Sequence, residues 1–276
     1  MESTVEFEQS VFDAEVFFRD HWRKKPLYVP GGVRDFLGRT FSAGDFEKAL
    51  AGARAARHAV QDRDGDVTFI EKVSLFDPDL TERAKGFGER FGMPETWFDS
   101  VRTRAPDGIG PHFDHSDNFV LQQEGTKEWS LAAPGNIDRL EIARRMLNMP
   151  GVGSHELPPG QSVRFTLEPG DLLYIPLLWL HSGVSRGASL SLSLVCPAIS
   201  LYSAVVPVLG QIARSRVLGY QPIPAFHAYM SEQERSEAAG TLRAATQNLL
   251  SRLSSDEVYA AVLAAQNDRL PGAVAR

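Results

Sequence analysis

Two segments of the chain alternate apolar and polar residues with a period of two. Leucines alternate with serines over residues 189–194, and residues 162–167 show the same alternation with Val, Phe and Leu. This period is typical of a β-strand whose two faces meet different environments. Further short apolar runs, separated by Gly, Pro and Asp, occupy residues 66–197. The pattern predicts a β core of the barrel or jelly-roll kind.

Helical spacing replaces the strand pattern on both sides of this core. Val11, Phe18 and Trp22 share one face of a predicted N-terminal helix, which ends before Pro26. Capping boxes, in which a serine is followed three residues later by an acidic residue, predict helices that begin at Ser42, Ser231 and Ser254. We therefore expect a mainly β catalytic domain with a helical N-terminal segment over residues 1–200, and an α-helical region over residues 201–276.

Composition narrows the classes of function. The formal net charge is −6, so the chain offers no overall basic field to a nucleic acid, and none is expected as a partner. The single cysteine, Cys196, excludes an internal disulfide and a zinc site built from cysteines. No apolar run approaches a membrane span, and residues 1–15 lack a signal-peptide pattern. We expect a cytoplasmic protein without a membrane partner.

The most informative short motif is His112-Phe113-Asp114. On an extended strand, residues two apart point to the same side, so the imidazole and the carboxylate would converge. One more imidazole completes a set of two histidines and one carboxylate, which non-haem iron(II) oxygenases use while keeping other coordination positions open. The best third ligand is His181, which follows an apolar strand and the break at Pro176.

Other interpretations of these residues stay open at this point. An isolated His-x-Asp pair is common by chance, and His115 or His155 could replace His181 as the third ligand. A zinc site at His112-x-x-His115 is disfavoured, because those side chains would point to opposite faces of a strand and no cysteine accompanies them. Surface positions are expected for the histidines outside this group, which are His21, His58 and His227.

Several longer segments resemble one family. They are residues 17–26 (Phe-Phe-Arg-Asp-His-Trp-Arg-Lys-Lys-Pro), 108–114 (Gly-Ile-Gly-Pro-His-Phe-Asp), 119–122 (Phe-Val-Leu-Gln), 125–129 (Gly-Thr-Lys-Glu-Trp) and 167–176 (Leu-Glu-Pro-Gly-Asp-Leu-Leu-Tyr-Ile-Pro). Together with His181 they look like the JmjC-type ribosomal oxygenases, the cupin-fold enzymes that hydroxylate side chains of ribosomal proteins. The resemblance covers about residues 10–200.

The resemblance implies a double-stranded β-helix with Fe(II) held by His112, Asp114 and His181 between its sheets. It also implies 2-oxoglutarate as cosubstrate, with Lys127 paired to the distal carboxylate. Small polar residues after the third ligand contact the cosubstrate in this family, and they correspond here to Ser193 and Ser191. Arg102 and Arg104 precede the motif, where they would either face an acidic substrate or lie on the outside of the strand.

The implied activity is the hydroxylation of an amino-acid side chain in a protein or peptide. Residues 201–276 are too short for both the dimerisation region and the winged-helix domain of the family, which makes a small molecule or a peptide natural product an alternative substrate. A metal-binding cupin without oxygenase activity is a further alternative, although Lys127 would then have no purpose. The spacing of Leu242, Leu249 and Leu253 gives the tail an apolar stripe, from which we expect a homodimer.

Overall fold

A computed structural model describes residues 12–63, 65–93, 95–135, 142, 156–158, 160–198, 209–210 and 229–267 of the chain. By its internal contacts the chain divides into two units, Met1–Ala198 and Ile199–Arg276. The predicted Val11, His155 and His227 lie outside the described residues. None of the described helices combines the length and the apolar character needed to cross a membrane.

The first unit is built on antiparallel strands. Their bounds are β1 Leu27–Val29, β2 Val60–Arg63, β3 Val67–Ile70, β4 Trp97–Thr103, β5 Ser116–Glu124, β6 Lys127–Ala132, β7 Val163–Leu167, β8 Leu172–Ile175, β9 Leu180–Ser185 and β10 Ser189–Pro197. A seven-stranded sheet has the order β1-β8-β5-β10-β4-β3-β2, and a three-stranded sheet has the order β7-β6-β9. This arrangement of two antiparallel sheets agrees with the β core that the alternating segments predict, and with the cupin-type fold that the resemblance implies.

Helical segments accompany the sheets in the part of the first unit that the structure describes. The α-helices are α1 Ala14–Asp20, α2 Ala43–Ala55 and α3 Pro78–Phe91, and the 3₁₀ helices are Gly32–Asp35 and Val73–Phe76. The capping box predicted at Ser42 is confirmed, because its hydroxyl accepts the N–H of Asp45 while the Asp45 carboxylate accepts the N–H of Ser42. Asp77 caps α3, which no pattern above predicts.

The seven-stranded sheet separates two apolar clusters. On its outer face, leucines of β10 such as Leu192 pack with Phe17 of α1 and Phe46 of α2. The face between the two sheets holds a smaller cluster that includes Val120 and Trp129. The inner face is therefore only partly apolar, and the candidate site lies on that side.

The predicted patterns fail in detail at two places. Val163 begins β7 with an exposed side chain, although the alternation predicts a buried one. The buried aromatic residue of α1 is Phe17, whereas Phe18 and Trp22 of the predicted face are only partly buried. Val163 is the first residue of β7, and Trp22 lies beyond the end of α1. At such positions burial depends on neighbouring segments more than on the local period.

The described part of the second unit contains two long helices, α4 Glu232–Ser251 and α5 Ser255–Asn267. The predicted capping boxes are present at both starts: Ser231 pairs with Glu234, and Ser254 pairs with Glu257. Ala238 is the one side chain of α4 that is fully buried.

Candidate metal centre and cosubstrate pocket

The structure brings His112, Asp114 and His181 together. One ligand atom from each lies within 4.8 Å of the others. The Nε2 atoms of His112 and His181 are 3.8 and 3.6 Å from Oδ2 of Asp114. These separations exceed by less than an ångström the roughly 3 Å expected between neighbouring ligands with metal bonds of about 2.1 Å at right angles. The donor set of two imidazoles and one carboxylate therefore fits a divalent metal.

The backbone positions of these residues differ from the predicted ones. His112 forms an isolated β-bridge with His181, and Asp114 lies between that bridge and the start of β5 at Ser116. His181 is the second residue of β9, shortly after the turn at Leu177 and Leu178. The two histidines exchange both backbone hydrogen bonds, at 3.0 and 2.8 Å. The two imidazoles are therefore brought together by backbone pairing between two distant segments. The alternation of side chains along a single strand is not the cause.

Hydrogen bonds at the far side of each imidazole fix its tautomer. Nδ1–H of His112 donates to the carbonyl of Gly110 at 2.9 Å, and Nδ1–H of His181 donates to the carbonyl of Trp179 at 2.8 Å. In the neutral ring the lone pair is then on Nε2, and both Nε2 atoms are turned toward Asp114. Asn118 on β5 donates from Nδ2 to Oδ2 of Asp114 at 3.0 Å. Such outer hydrogen bonds orient metal ligands and raise their basicity.

Gly108 lies where two segments of the chain approach each other closely. A Cβ atom on Gly108 would lie 2.0 Å from the carbonyl oxygen of Gly183 on β9. The segment before His112 can therefore run against β9 only without a side chain there. Gly110 has φ +94°, a conformation that glycine adopts without strain, and its carbonyl meets His112.

A buried ionic network holds the turn before His181. Oδ1 of Asp117 accepts the backbone N–H of Leu177 at 3.1 Å and the hydroxyl of Tyr174 at 2.6 Å. Oδ2 of Asp117 accepts Nε–H of Arg23 at 2.9 Å. The next residue of the turn, Leu178, donates its N–H to the carbonyl of Asp114 at 3.0 Å. Tyr174 is thus committed to this network, and burial is the main reason that its pKa is raised.

Lys127 begins β6 with its side chain turned between the sheets. Only 2% of the residue is exposed, and Nζ lies 5.1 Å from the centroid of the Trp129 ring. Burial lowers the pKa of Lys127 to about 8, and no carboxylate among the described residues offsets that effect. A buried cation without an anionic partner is costly, and a bound anion would supply the missing partner.

The inner face also holds other polar atoms whose hydrogen-bonding capacity is not used. Oε1 of Gln122 and Nε1 of Trp129 are buried, and neither has a hydrogen-bond partner among the described residues. Gln122 lies opposite Ser191 in the sheet, and Ser193 lies opposite Val120. Ser191 is buried and Ser193 is partly exposed. Both alternate along β10 with the leucines of the outer cluster, so both serines are on the inner face. Sequence reasoning missed Gln122, although it is part of the motif at residues 119–122.

The remaining candidates lie elsewhere. Arg102 is on the outer face, where it contacts the carboxylate of Glu47 and lies 4.4 Å from the centroid of the Phe46 ring. Arg104 is 3.9 Å from the same carboxylate. Within the described ranges, His115 is not part of the metal-binding group. The rings of His21 and His58 hydrogen-bond to the backbone carbonyls of Pro26 and Glu71.

Comparison with known proteins gives consistent matches. Residues 96–202 match the JmjC domain family. A probable ribosomal oxygenase of Haemophilus influenzae is 27% identical over 210 residues, which are 65% of this chain and 48% of the relative. A protein of Drosophila pseudoobscura named bifunctional lysine-specific demethylase and histidyl-hydroxylase NO66 is 31% identical over 227 residues, which are 66% of this chain and 21% of the relative.

Solved structures share the fold. The ribosomal oxygenase YcfD from Escherichia coli, in complex with cobalt and 2-oxoglutarate, superposes with a TM-score of 0.58 at 18% identity. That match covers 92% of this chain and 72% of the other. The chain spans about half or less of the length of the curated relatives that it matches.

Proposed function

We propose that this protein, whose residues 96–202 match the JmjC domain family, is an Fe(II)- and 2-oxoglutarate-dependent oxygenase that hydroxylates an amino-acid side chain in a protein or peptide. The observation that carries the proposal is the convergence of two imidazoles and one carboxylate beside a buried, unpaired lysine. Two histidines and one carboxylate leave coordination positions open for a bidentate cosubstrate and dioxygen.

The residues at the site have separate tasks in this proposal. His112, Asp114 and His181 hold the iron, and the carbonyls of Gly110 and Trp179 keep the two imidazoles in the metal-binding tautomer. When bound, iron and 2-oxoglutarate together supply an oxidant able to replace a C–H bond by C–OH. The chain's own contribution is to orient the bound groups and to keep the reaction away from bulk water.

Lys127 anchors the cosubstrate. Its ammonium pairs with the carboxylate of 2-oxoglutarate that is distant from the metal, and the pairing restores a partner to a buried charge. Ser193 and Ser191 supply hydroxyl groups on the inner face for the same ligand. A metal-binding cupin without oxygenase activity would gain nothing from an unpaired lysine at this position.

The names of the relatives support a protein substrate. Those in Haemophilus influenzae and Escherichia coli are called ribosomal oxygenases, and one from Drosophila is called a histidyl-hydroxylase. We place the protein in the cytoplasm, where such substrates and 2-oxoglutarate are present. A small-molecule substrate remains the alternative to be tested, and the net charge of −6 gives no support to a nucleic acid.

The deciding experiment has two stages. Purified protein is first loaded with Fe(II) without oxygen and titrated with 2-oxoglutarate, which should produce a charge-transfer absorbance band. Oxygen is then admitted with either ribosomal extract or a mixture of free amino acids, and succinate and hydroxylated products are measured. Succinate that forms with the extract and not with the amino acids supports a protein substrate. No band and no succinate would contradict the oxygenase assignment.

We also propose that residues 201–276 form a homodimerisation region beside a catalytic domain of residues 1–200. The support is that α4 exposes Leu242 and Leu250, while Leu249 and Leu253 are partly exposed. Replacing Leu242 and Leu250 together by Ser should convert a dimer to a monomer in light scattering. The matched control replaces Leu75, an exposed leucine of the first unit, by Ser. A monomer of the unchanged chain at micromolar concentration would exclude the dimer.

A further inference from the structure

The turn that precedes His181 adopts a conformation that its own residues do not favour. Leu177 and Leu178 form this turn, between β8 and β9. Leu178 has φ +64°, in the left-handed region that residues other than glycine rarely adopt. Such a conformation persists only where the surrounding structure imposes it, and it is concentrated at functional sites. Contacts from outside the turn must therefore hold it in place.

The backbone N–H groups of both turn residues are bonded to the segment that carries the metal-binding motif. The N–H of Leu177 donates to Oδ1 of Asp117 at 3.1 Å, and the N–H of Leu178 donates to the carbonyl of Asp114 at 3.0 Å. The second contact joins two backbones, whereas the first needs the carboxylate of Asp117. A substitution of Asp117 would therefore release one of the two contacts and leave the other.

The turn in its turn positions a metal ligand. Trp179 is the next residue of the chain, and its carbonyl accepts Nδ1–H of His181 at 2.8 Å. This hydrogen bond orients the His181 ring, so a shift of the turn would move the carbonyl and rotate the imidazole with it. Hydrogen bonds of this kind behind a metal ligand strengthen metal binding, because they hold the ligand in the orientation that the metal needs.

Asp117 is itself fixed by groups on the outer face of the sheet. The residue is fully buried, and its Oδ2 accepts Nε–H of Arg23 at 2.9 Å. Its Oδ1 also accepts the hydroxyl of Tyr174 at 2.6 Å, and the backbone N–H of Arg23 donates to that hydroxyl at 2.9 Å. The side chain of Arg23 is 44% exposed. A buried carboxylate that lost this partner would be left with an uncompensated charge, so Arg23 keeps Asp117 in place.

We propose that Asp117 is a positioning residue for the metal centre: paired with Arg23, it fixes the turn that orients His181 and so raises the affinity for the metal. This inference rests on the proposed function. It gives a part in metal binding to the segment between α1 and β1, which contributes no metal ligand of its own. The competing explanation is that the contacts of Asp117 stabilise the fold and do nothing more.

Asp77 offers a matched control, because its carboxylate makes contacts of the same kind. Its Oδ1 accepts the backbone N–H groups of Asp79 and Leu80 at 3.0 and 3.1 Å, and its Oδ2 pairs with Arg39 at 2.7 Å. These contacts cap α3 and involve none of the proposed metal ligands. If the contacts of Asp117 only stabilise the fold, replacing Asp117 or Asp77 by alanine should have the same consequences.

The test measures metal affinity separately from stability. Metal-free protein is titrated with Co(II), whose visible absorbance reports the arrangement of its ligands, and urea denaturation measures the stability of each variant. Asp117→Ala should weaken Co(II) binding by about tenfold or more and alter the cobalt spectrum. Asp77→Ala should lower the stability but keep the cobalt affinity within about twofold of the unchanged protein. Arg23→Gln should weaken binding by about threefold or more, and Arg23→Lys, which keeps the charge, should restore most of the affinity.

The failures are distinguishable. If the unchanged protein binds Co(II) and folded Asp117→Ala binds it equally well, or if Asp77→Ala loses as much affinity, this inference is wrong while the proposed function stands. Arg23→Gln changes a half-exposed side chain and decides the question if Asp117→Ala does not fold, since a cobalt affinity equal to that of the unchanged protein would overturn the inference. If the unchanged protein binds no Co(II), the proposed function and the inference fall together.

Discussion

The two faces of the seven-stranded sheet are formed by the same strands, yet they bury opposite kinds of residue. On the outer face of β10, Leu190, Leu192 and Leu194 pack against the N-terminal helices. On its inner face the intervening residues are serines, and Gln122 of β5 leaves a buried acceptor without a partner. The outer face is thus held mainly by apolar packing, whereas the inner face carries buried polar atoms without a hydrogen-bond partner among the described residues.

This difference separates stability from function within one sheet. A buried leucine contributes about 1.5–3 kcal/mol to folding by the hydrophobic effect. The unpaired ammonium of Lys127, between the sheets, opposes folding because its charge is removed from water. A residue that lowers the stability of the fold and lies in a pocket is a candidate for ligand binding, because the bound ligand can supply the missing interaction partner.

Removing a metal ligand should have the largest effect. His181→Ala should abolish turnover and weaken iron binding while the fold stays intact, because the remaining two ligands lose both affinity and geometry. Iron content, succinate release and circular dichroism measure the three effects. The control is His21→Ala, which removes an imidazole that hydrogen-bonds to the backbone carbonyl of Pro26. Retained iron and activity would mean that His115 or His155 is the third ligand.

Removing the cosubstrate anchor should have the next largest effect. Lys127→Ala should leave iron bound but raise the 2-oxoglutarate requirement by hundreds-fold or more, since a stranded carboxylate costs about 3–5 kcal/mol. Lys127→Arg should keep part of the affinity. The charge-transfer band during titration reports both values. Unchanged affinity in the alanine variant would exclude Lys127 as the anchor.

The comparison between faces is sharpest at adjacent residues of β10. Leu192→Ala should destabilise the protein by about 2–5 kcal/mol, since it opens a cavity in the outer cluster. Ser193→Ala, one residue away on the inner face, should change stability by less than about 1 kcal/mol and should weaken 2-oxoglutarate binding instead. Urea denaturation and the same titration measure the two effects. Equal losses of stability in Leu192→Ala and Ser193→Ala would contradict the division between a stabilising outer face and a ligand-binding inner face.

The pH dependence of 2-oxoglutarate binding should be a smaller effect. The pKa of Lys127 without ligand is about 8, well below its ordinary value, because the side chain is buried. The protonated form binds the carboxylate, so the affinity is complete below pH 8 and falls about tenfold per pH unit above it. Titrations between pH 6.5 and 9.5 should show this decline, and Lys127→Arg should not. A flat profile for the unchanged protein would contradict a titrating anchor.

Local sequence patterns gave much of the fold. One of the short apolar runs of the predicted β core, residues 67–70, is β3, and the alternating segment at residues 189–194 lies in β10. All three predicted capping boxes are present. Each of these features depends on residues only a few positions apart. The helix α3 was missed, although Asp77-Pro78 and Gly92 carry ordinary start and stop signals.

The interior of the site depends on pairings that no local pattern contains. Asp117 joins Arg23, 94 residues earlier, to Leu177, 60 residues later. Gln122 lies on the inner face through its register with Ser191. Strand order and register decide such contacts, and a shift by one residue would turn every side chain to the other face. The sequence therefore predicts the three candidate metal ligands, which the structure brings together, but not the groups that hold and surround them.

The smallest expected effect concerns Arg102, for which the sequence left two positions open: facing an acidic substrate, or on the outside of the strand. Its guanidinium contacts Glu47 and the Phe46 ring on the outer face, and the ion pair lowers the pKa of Glu47. Arg102→Ala should reduce stability by about 1 kcal/mol through the lost packing and the lost pair. The 2-oxoglutarate affinity should stay within about twofold of the unchanged protein, and Glu47→Gln should act in the same way. A large loss of affinity in Arg102→Ala alone would place this arginine in the pocket and would break the separation of the two faces.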